Sequence, residues 1–290
     1  MGKISRALEK SGKGHSPEAV GDKGKMFSNQ EPIHGEILDA AEAKESQLPE
    51  RHYPPIGHWD ERLLKVTSLS GQLSESFRVL RSRILHPSDA GKNLKTILVT
   101  STAPGEGKSF VTANLAISLA RGMDQYCLVV DCDLRRPTLA GMLGMGNDPG
   151  LSDYLQARYD VPQVIQKTTV QKLSLLASGI PPVNPSELLG SARMQGLVQQ
   201  LSARYDDRFV IFDSPPIQAA SETSVLAKQV DGVILVIRWC ASGRDNVRRL
   251  VEDIGKEKII GVVFNGYKSN IVESKLRKYS DHYQYDYSHK

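Results

Sequence analysis

From residue 95 onward the apolar residues gather into short unbroken blocks separated by amphipathic stretches. The blocks are Thr96–Ser101, Tyr126–Asp131, Leu173–Ala177, Arg208–Asp213, 232–238 and 259–265. A strand with one wet face alternates apolar and polar positions. Runs such as Thr-Ile-Leu-Val-Thr and Val-Ile-Leu-Val-Ile do not alternate, so these strands are buried on both faces. The stretches between them predict helices over 108–121, 137–145, 151–156, 184–204 with a break near Gly190, 218–229 and 244–255. Strands alternating with helices in this way predict an α/β fold: a mostly parallel, doubly wound sheet with helices on both faces.

Ahead of this region one more helix is predicted, over 69–86. Leu73, Phe77, Leu80 and Ile84 are spaced 4, 3 and 4, on one narrow face; Glu75, Arg78 and Arg81 project from the other side, and Pro87 ends it. Residues 1–60 are polar and poor in aromatics, which predicts a flexible arm. Within it, residues 2–11 read equally as a short amphipathic helix or a fraying terminus. The chain thus divides into an arm at 1–60, a folded domain at 61–268 and a polar tail at 269–290. That tail carries Tyr279, Tyr283, Tyr285 and Tyr287, four of the ten tyrosines of the 290-residue chain. No apolar periodicity surrounds them, which places them outside the core and on a mobile terminus.

Composition removes several classes. No apolar run approaches the ~18 residues of a membrane span, and the N-terminus has no apolar signal region. The net charge of +4 is mild, and the basic clusters are not interleaved with aromatics, so no nucleic-acid partner is expected. Cys127, Cys132 and Cys240 lack metal-ligand spacing, and Cys127 and Cys132, in or next to a predicted buried strand, read as reduced core thiols of a cytoplasmic protein.

The chemistry lies at the predicted strand ends. Ser101-Thr-Ala-Pro-Gly-Glu-Gly-Lys-Ser109 follows a strand and opens a helix, the context of a phosphate-binding P-loop. Ala103, Pro104, Gly105, Glu106, Gly107, Lys108, Ser109 and Phe110 would wrap the phosphates of ATP. Gly105 and Gly107 let amides turn toward the anion, and the helix N-terminus adds partial positive charge. Lys108 would reach the β- and γ-phosphates, and the Ser109 hydroxyl would ligate Mg²⁺. Thr102 departs from the general pattern, which has glycine there. Asp131 and Asp133 sit at one strand end and Asp213 at another. Three carboxylates beside a triphosphate serve to hold Mg²⁺ and to accept the proton of an attacking hydroxyl. Asn265, at the last strand end, reads either as a contact to a purine edge or as a turn residue before Gly266.

Taken in order, these segments resemble the bacterial protein-tyrosine kinases, P-loop NTPases that serve capsule or exopolysaccharide synthesis. The P-loop is similar to the family's Walker A, Asp131-x-Asp133-x-Arg135 to its Walker A′, and Asp213-Ser-Pro-Pro216 to its Walker B. Glu75-x-x-Arg78-x-x-Arg81 resembles the family's oligomerisation motif, and the tyrosine-rich tail resembles its substrate cluster. The resemblance covers roughly residues 70–290. It implies an autokinase using ATP and Mg²⁺, with Lys108 on the phosphates and Ser109, Asp131 and Asp213 around the metal. Asp131 would be the base and Asp133 would help with geometry. The tail tyrosines would be phosphorylated in trans within a homo-oligomeric ring held by Glu75, Arg78 and Arg81. Further implied partners are a membrane-spanning chain-length determinant that activates the kinase, a tyrosine phosphatase, and polysaccharide-synthesis enzymes as substrates. The implied place is the inner face of the cell membrane. The competing expectation is a partitioning-type ATPase switch without kinase activity. Ala103 stands where those ATPases carry their signature lysine.

Overall fold

The computed structural model describes residues 57–67, 72–87, 94–204, 207–239 and 242–266. Its centre is a seven-stranded sheet of β1 (Thr96–Ser101), β2 (Tyr126–Asp131), β3 (Ile165–Lys167), β4 (Leu173–Leu176), β5 (Arg208–Asp213), β6 (Gly232–Arg238) and β7 (Ile259–Asn265). The spatial order is β3-β4-β2-β5-β1-β6-β7. Every pairing is parallel except β3 with β4. The mostly parallel, doubly wound arrangement expected from the unbroken apolar blocks is therefore present.

Alternate residues of each central strand feed two separate cores. Ile97, Val99, Cys127, Val129 and Ile211 point to one side, where they meet α1 (Glu61–Thr67), α2 (Gln72–Leu85), α3 (Lys108–Ala120) and α4 (Leu139–Met142). Leu98, Leu128, Val130, Val210 and Phe212 point to the other side. There they are covered from α5 (Leu151–Leu155), α6 (Val161–Val164), α7 (Pro185–Leu189), α8 (Ala192–Arg204), α9 (Ser221–Gln229) and α10 (Arg244–Ile254). Full burial of each such side chain contributes roughly 1.5–3 kcal/mol. In α3 every residue but Phe110 is buried, so the helix behind the P-loop is fixed along its whole length.

The strand boundaries agree with the sequence reading to within a residue. Three elements were not expected. α1 lies within a polar stretch, and β3 is a three-residue edge strand whose residues are only half-buried or exposed. β3 carries no apolar block because one side of it faces no neighbour. α6 is a single turn. The helix expected over 137–145 shrinks to α4, closed by Gly144 in the left-handed region. The predicted arm, its candidate helix at 2–11 and the tail tyrosines lie outside the described residues. Among the described residues no helix is long and apolar enough to cross a membrane.

Candidate functional site

The register of the sheet assembles the site. β2, β5 and β1 are neighbours, and Asp131 pairs with Asp213, which in turn pairs with Val99 on β1. The two aspartates therefore end adjacent parallel strands side by side, at the carboxyl edge where open α/β sheets bind ligands. The P-loop leaves β1 at the same edge and enters α3 at Lys108. Gly105 (φ +80°) and Gly107 (φ +91°) take left-handed backbone conformations, as the Gly-rich sequence suggested.

Lys108, Asp131, Asp133 and Asp213 are brought together and are all buried. Lys108 Nζ donates to Asp133 Oδ2 at 3.0 Å. Burial alone would lower the Lys108 pKa, but Asp213, Asp133 and Asp131 outweigh it and raise it, so the ammonium stays charged. Asp133 Oδ1 accepts from the Arg136 amide at 3.1 Å. Asp131 accepts on both oxygens, from the Asp133 amide at Oδ1 and from the Thr138 and Leu139 amides at Oδ2, each at 3.1 Å. Burial, then the Asp213 and Asp133 charges, push its pKa up to about 8 against those amides. Burial also pushes Asp213 up to about 6, opposed chiefly by Lys108 and by the Ser109 and Thr112 hydroxyls.

Asp213 has one oxygen in use. Oδ1 accepts from Thr112 Oγ1 at 3.2 Å, whereas Oδ2 is buried without a hydrogen-bond partner among the described residues. With the adjoining Ser109 hydroxyl it offers hard oxygen donors, the kind Mg²⁺ takes. The residues present therefore fit that ion at Ser109 and Asp213. Thr112 was missed from the sequence. Its signal was its spacing: four residues after Lys108, it lies on the same helix face, and it also donates to the Lys108 carbonyl at 3.0 Å.

Three further candidates have protein partners. Glu106 turns its carboxylate into the P-loop, onto the Thr102 and Ala103 amides at 2.7 and 2.9 Å. Asn265 spends its amide on the loop, donating from Nδ2 to the Glu106 carbonyl at 2.8 Å, while its Oδ1 accepts from Gly266. Phe110 is partly buried against Phe77 of α2, edge to face with centroids 6.2 Å apart.

The motif on α2 is split. Arg78 pairs with Glu75 at 3.2 Å on the exposed side. Arg81 does not project with them. It turns inward and donates from Nη1 to the Ser118 carbonyl at 2.8 Å, in the last turn of α3. A carbonyl there has no partner further along the helix, and a cation complements that end. Phe77 and Ile84 are buried as expected, but Leu73 is exposed.

These features match known proteins. Residues 97–287 match the CobQ/CobB/MinD/ParA nucleotide binding domain family, so the chain belongs to this class of P-loop domains. The tyrosine-protein kinase YwqD of Bacillus subtilis is 34% identical over 227 residues, covering 78% of this chain and 90% of YwqD. The tyrosine-protein kinase Wzc of Salmonella typhimurium is 28% identical over 79% of this chain, which spans 31% of Wzc. The solved kinase domain of the Escherichia coli tyrosine kinase ETK superposes with a TM-score of 0.66 at 29% identity, covering 78% of this chain and 85% of that domain. Within the P-loop class, the chain belongs to the bacterial tyrosine-protein kinases.

Proposed function

We propose that this chain transfers the γ-phosphoryl group of ATP to tyrosine, with Tyr279, Tyr283, Tyr285 and Tyr287 of a neighbouring copy as acceptors. The observation that carries this reading is the meeting of Lys108, Ser109, Asp131, Asp133 and Asp213 at one strand edge beside the P-loop. Lys108, held charged by the carboxylates, is placed to meet the phosphates, and Asp133 positions it. Ser109 and Asp213 are the residues to hold Mg²⁺. When bound, that ion neutralises phosphate charge and orients the transferring group. Asp131 is the base. Amides fix its orientation on both oxygens, and burial raises its pKa, which makes the ionised carboxylate a stronger proton acceptor than an ordinary one. That arrangement suits it to proton transfer rather than to the metal-ligand role expected from sequence, since Asp213 has the free oxygen. In the step, the tyrosine oxygen bonds to the γ-phosphorus and the bond to the β–γ bridging oxygen breaks. The phenol proton passes to Asp131, and ADP leaves with the bond pair.

In this reading Glu75 and Arg78 face a neighbouring copy in a ring. A membrane-spanning chain-length determinant recruits and activates the kinase at the inner face of the membrane. A phosphatase resets it, and polysaccharide-synthesis enzymes are its other substrates. The match to named tyrosine kinases supports this over a partitioning-type ATPase switch, as does Ala103 in place of the signature lysine.

The test mixes two chains with ATP and Mg²⁺. Lys108→Met keeps its tail but lacks the catalytic lysine; the other chain is active but has all four tail tyrosines changed to Phe. Phosphotyrosine on the Lys108→Met chain is expected. No label there, with wild type alone labelled, overturns transfer in trans. No label on wild type, even with an activator segment, overturns the kinase reading.

A further inference from the structure

We propose that Glu106 is a positioning residue that sets the shape of the phosphate-binding loop in advance and fastens it to the segment between β6 and α10. The inference rests on the reading of this loop as a phosphate site.

Glu106 is only 3% exposed, although it sits in a surface loop. Its carboxylate lies inside the turn that it closes. Oε2 accepts from the Thr102 amide at 2.7 Å and the Ala103 amide at 2.9 Å, and the Thr102 hydroxyl lies 3.0 Å from both oxygens. Oε1 also accepts from the Ser242 hydroxyl and, at 3.5 Å, from the Arg238 amide. A carboxylate offers about four lone-pair sites, and here they are all engaged. Hydrogen bonds to an ionised acceptor are roughly twice as strong as neutral ones, so the charge is balanced by donors on three sides.

Two features follow from this arrangement. The first is the departure at Thr102. A glycine there could give Glu106 only an amide, whereas threonine adds a hydroxyl, so the lock replaces the conformational freedom of the usual glycine. The second is the reach of the lock. Thr102 and Ala103 belong to the loop's entry, Arg238 and Ser242 to the far side of β6, and the Glu106 carbonyl accepts from Asn265 on β7. Gly107 closes the bracket: a Cβ there would lie 2.0 Å from Asn265 Nδ2. The loop is clamped between β6 and β7, and Arg238 and Ser242 hold it directly.

The test is calorimetric binding of ADP and AMP to wild type and to Glu106→Ala, Thr102→Gly, Thr102→Ser and Ser242→Ala. The lock acts on the loop that would cradle the β-phosphate. Affinity for ADP should fall about tenfold in Glu106→Ala and a few-fold in Thr102→Gly and Ser242→Ala, with AMP binding little changed. Thr102→Ser keeps the hydroxyl and should bind ADP like wild type. If Glu106→Ala does not fold, the Thr102 and Ser242 variants decide. Wild-type ADP affinity in both Thr102→Gly and Ser242→Ala, or equal losses for ADP and AMP, overturns the proposal. Failure of wild type itself to bind ADP strikes the phosphate-site reading instead.

Discussion

Replacing Asp213 by Asn should stabilise the ligand-free protein at neutral pH while abolishing phosphoryl transfer. Asp213 is fully buried and leaves Oδ2 without a hydrogen-bond partner among the described residues. Its carboxyl is pushed from the ordinary 3.8 up to about 6, first by burial. The folded state therefore binds this proton more tightly than the unfolded chain does. The stability that it contributes is fully present below its unfolded pKa and is lost as pH rises through about 6. The rise from 3.8 to about 6 is worth about 3 kcal/mol. Asn keeps Oδ1 as the acceptor for Thr112 and has no such titration. Removing the Asp213 charge also relieves Asp131, which works in the same direction. Urea unfolding of metal- and nucleotide-free protein should show Asp213→Asn gaining about 3 kcal/mol on wild type between about pH 4 and pH 7.5. A difference that stays flat over that range refutes the reasoning.

Other outcomes follow from the same contacts. Arg81→Ala should cost about 1.5–3 kcal/mol in urea unfolding, since it frees a charged hydrogen bond to the Ser118 carbonyl; Glu75→Ala with Arg78→Ala should cost under about 1 kcal/mol. In sizing measurements the Glu75/Arg78 variant should shift toward monomer without loss of fold, and no shift would reduce that pair to a surface ion pair. Phe212→Ala removes a fully buried side chain from β5, one residue before its end, and should cost about 3–5 kcal/mol; a cost under about 1 kcal/mol would contradict the packing described.

The fold was legible because its strands are buried on both faces. Runs such as Ile97-Leu98-Val99 leave no other environment for themselves, and their ends fixed the positions of Asp131 and Asp213. The P-loop was legible because glycines at 105 and 107 have a conformational purpose. β3 escaped notice because an edge strand of three residues carries no apolar block. The inward turn of Arg81 was hidden for a different reason. Its spacing from Glu75 and Arg78 is that of one charged stripe, and only the approach of α3 gives it a buried acceptor. The Glu106 lock was hidden because its partners are spread from Thr102 to Ser242, and loop closure rather than local pattern brings them together.

The central claim is that the tail tyrosines are this enzyme's own substrate. Its most direct test is a mass-spectrometric map of phosphotyrosine after incubation with ATP and Mg²⁺, with the activating partner segment present. Phosphate is expected on Tyr279, Tyr283, Tyr285 and Tyr287 in wild type and on none of them in Lys108→Met. ATP hydrolysis by wild type with those four tyrosines unmodified would contradict it.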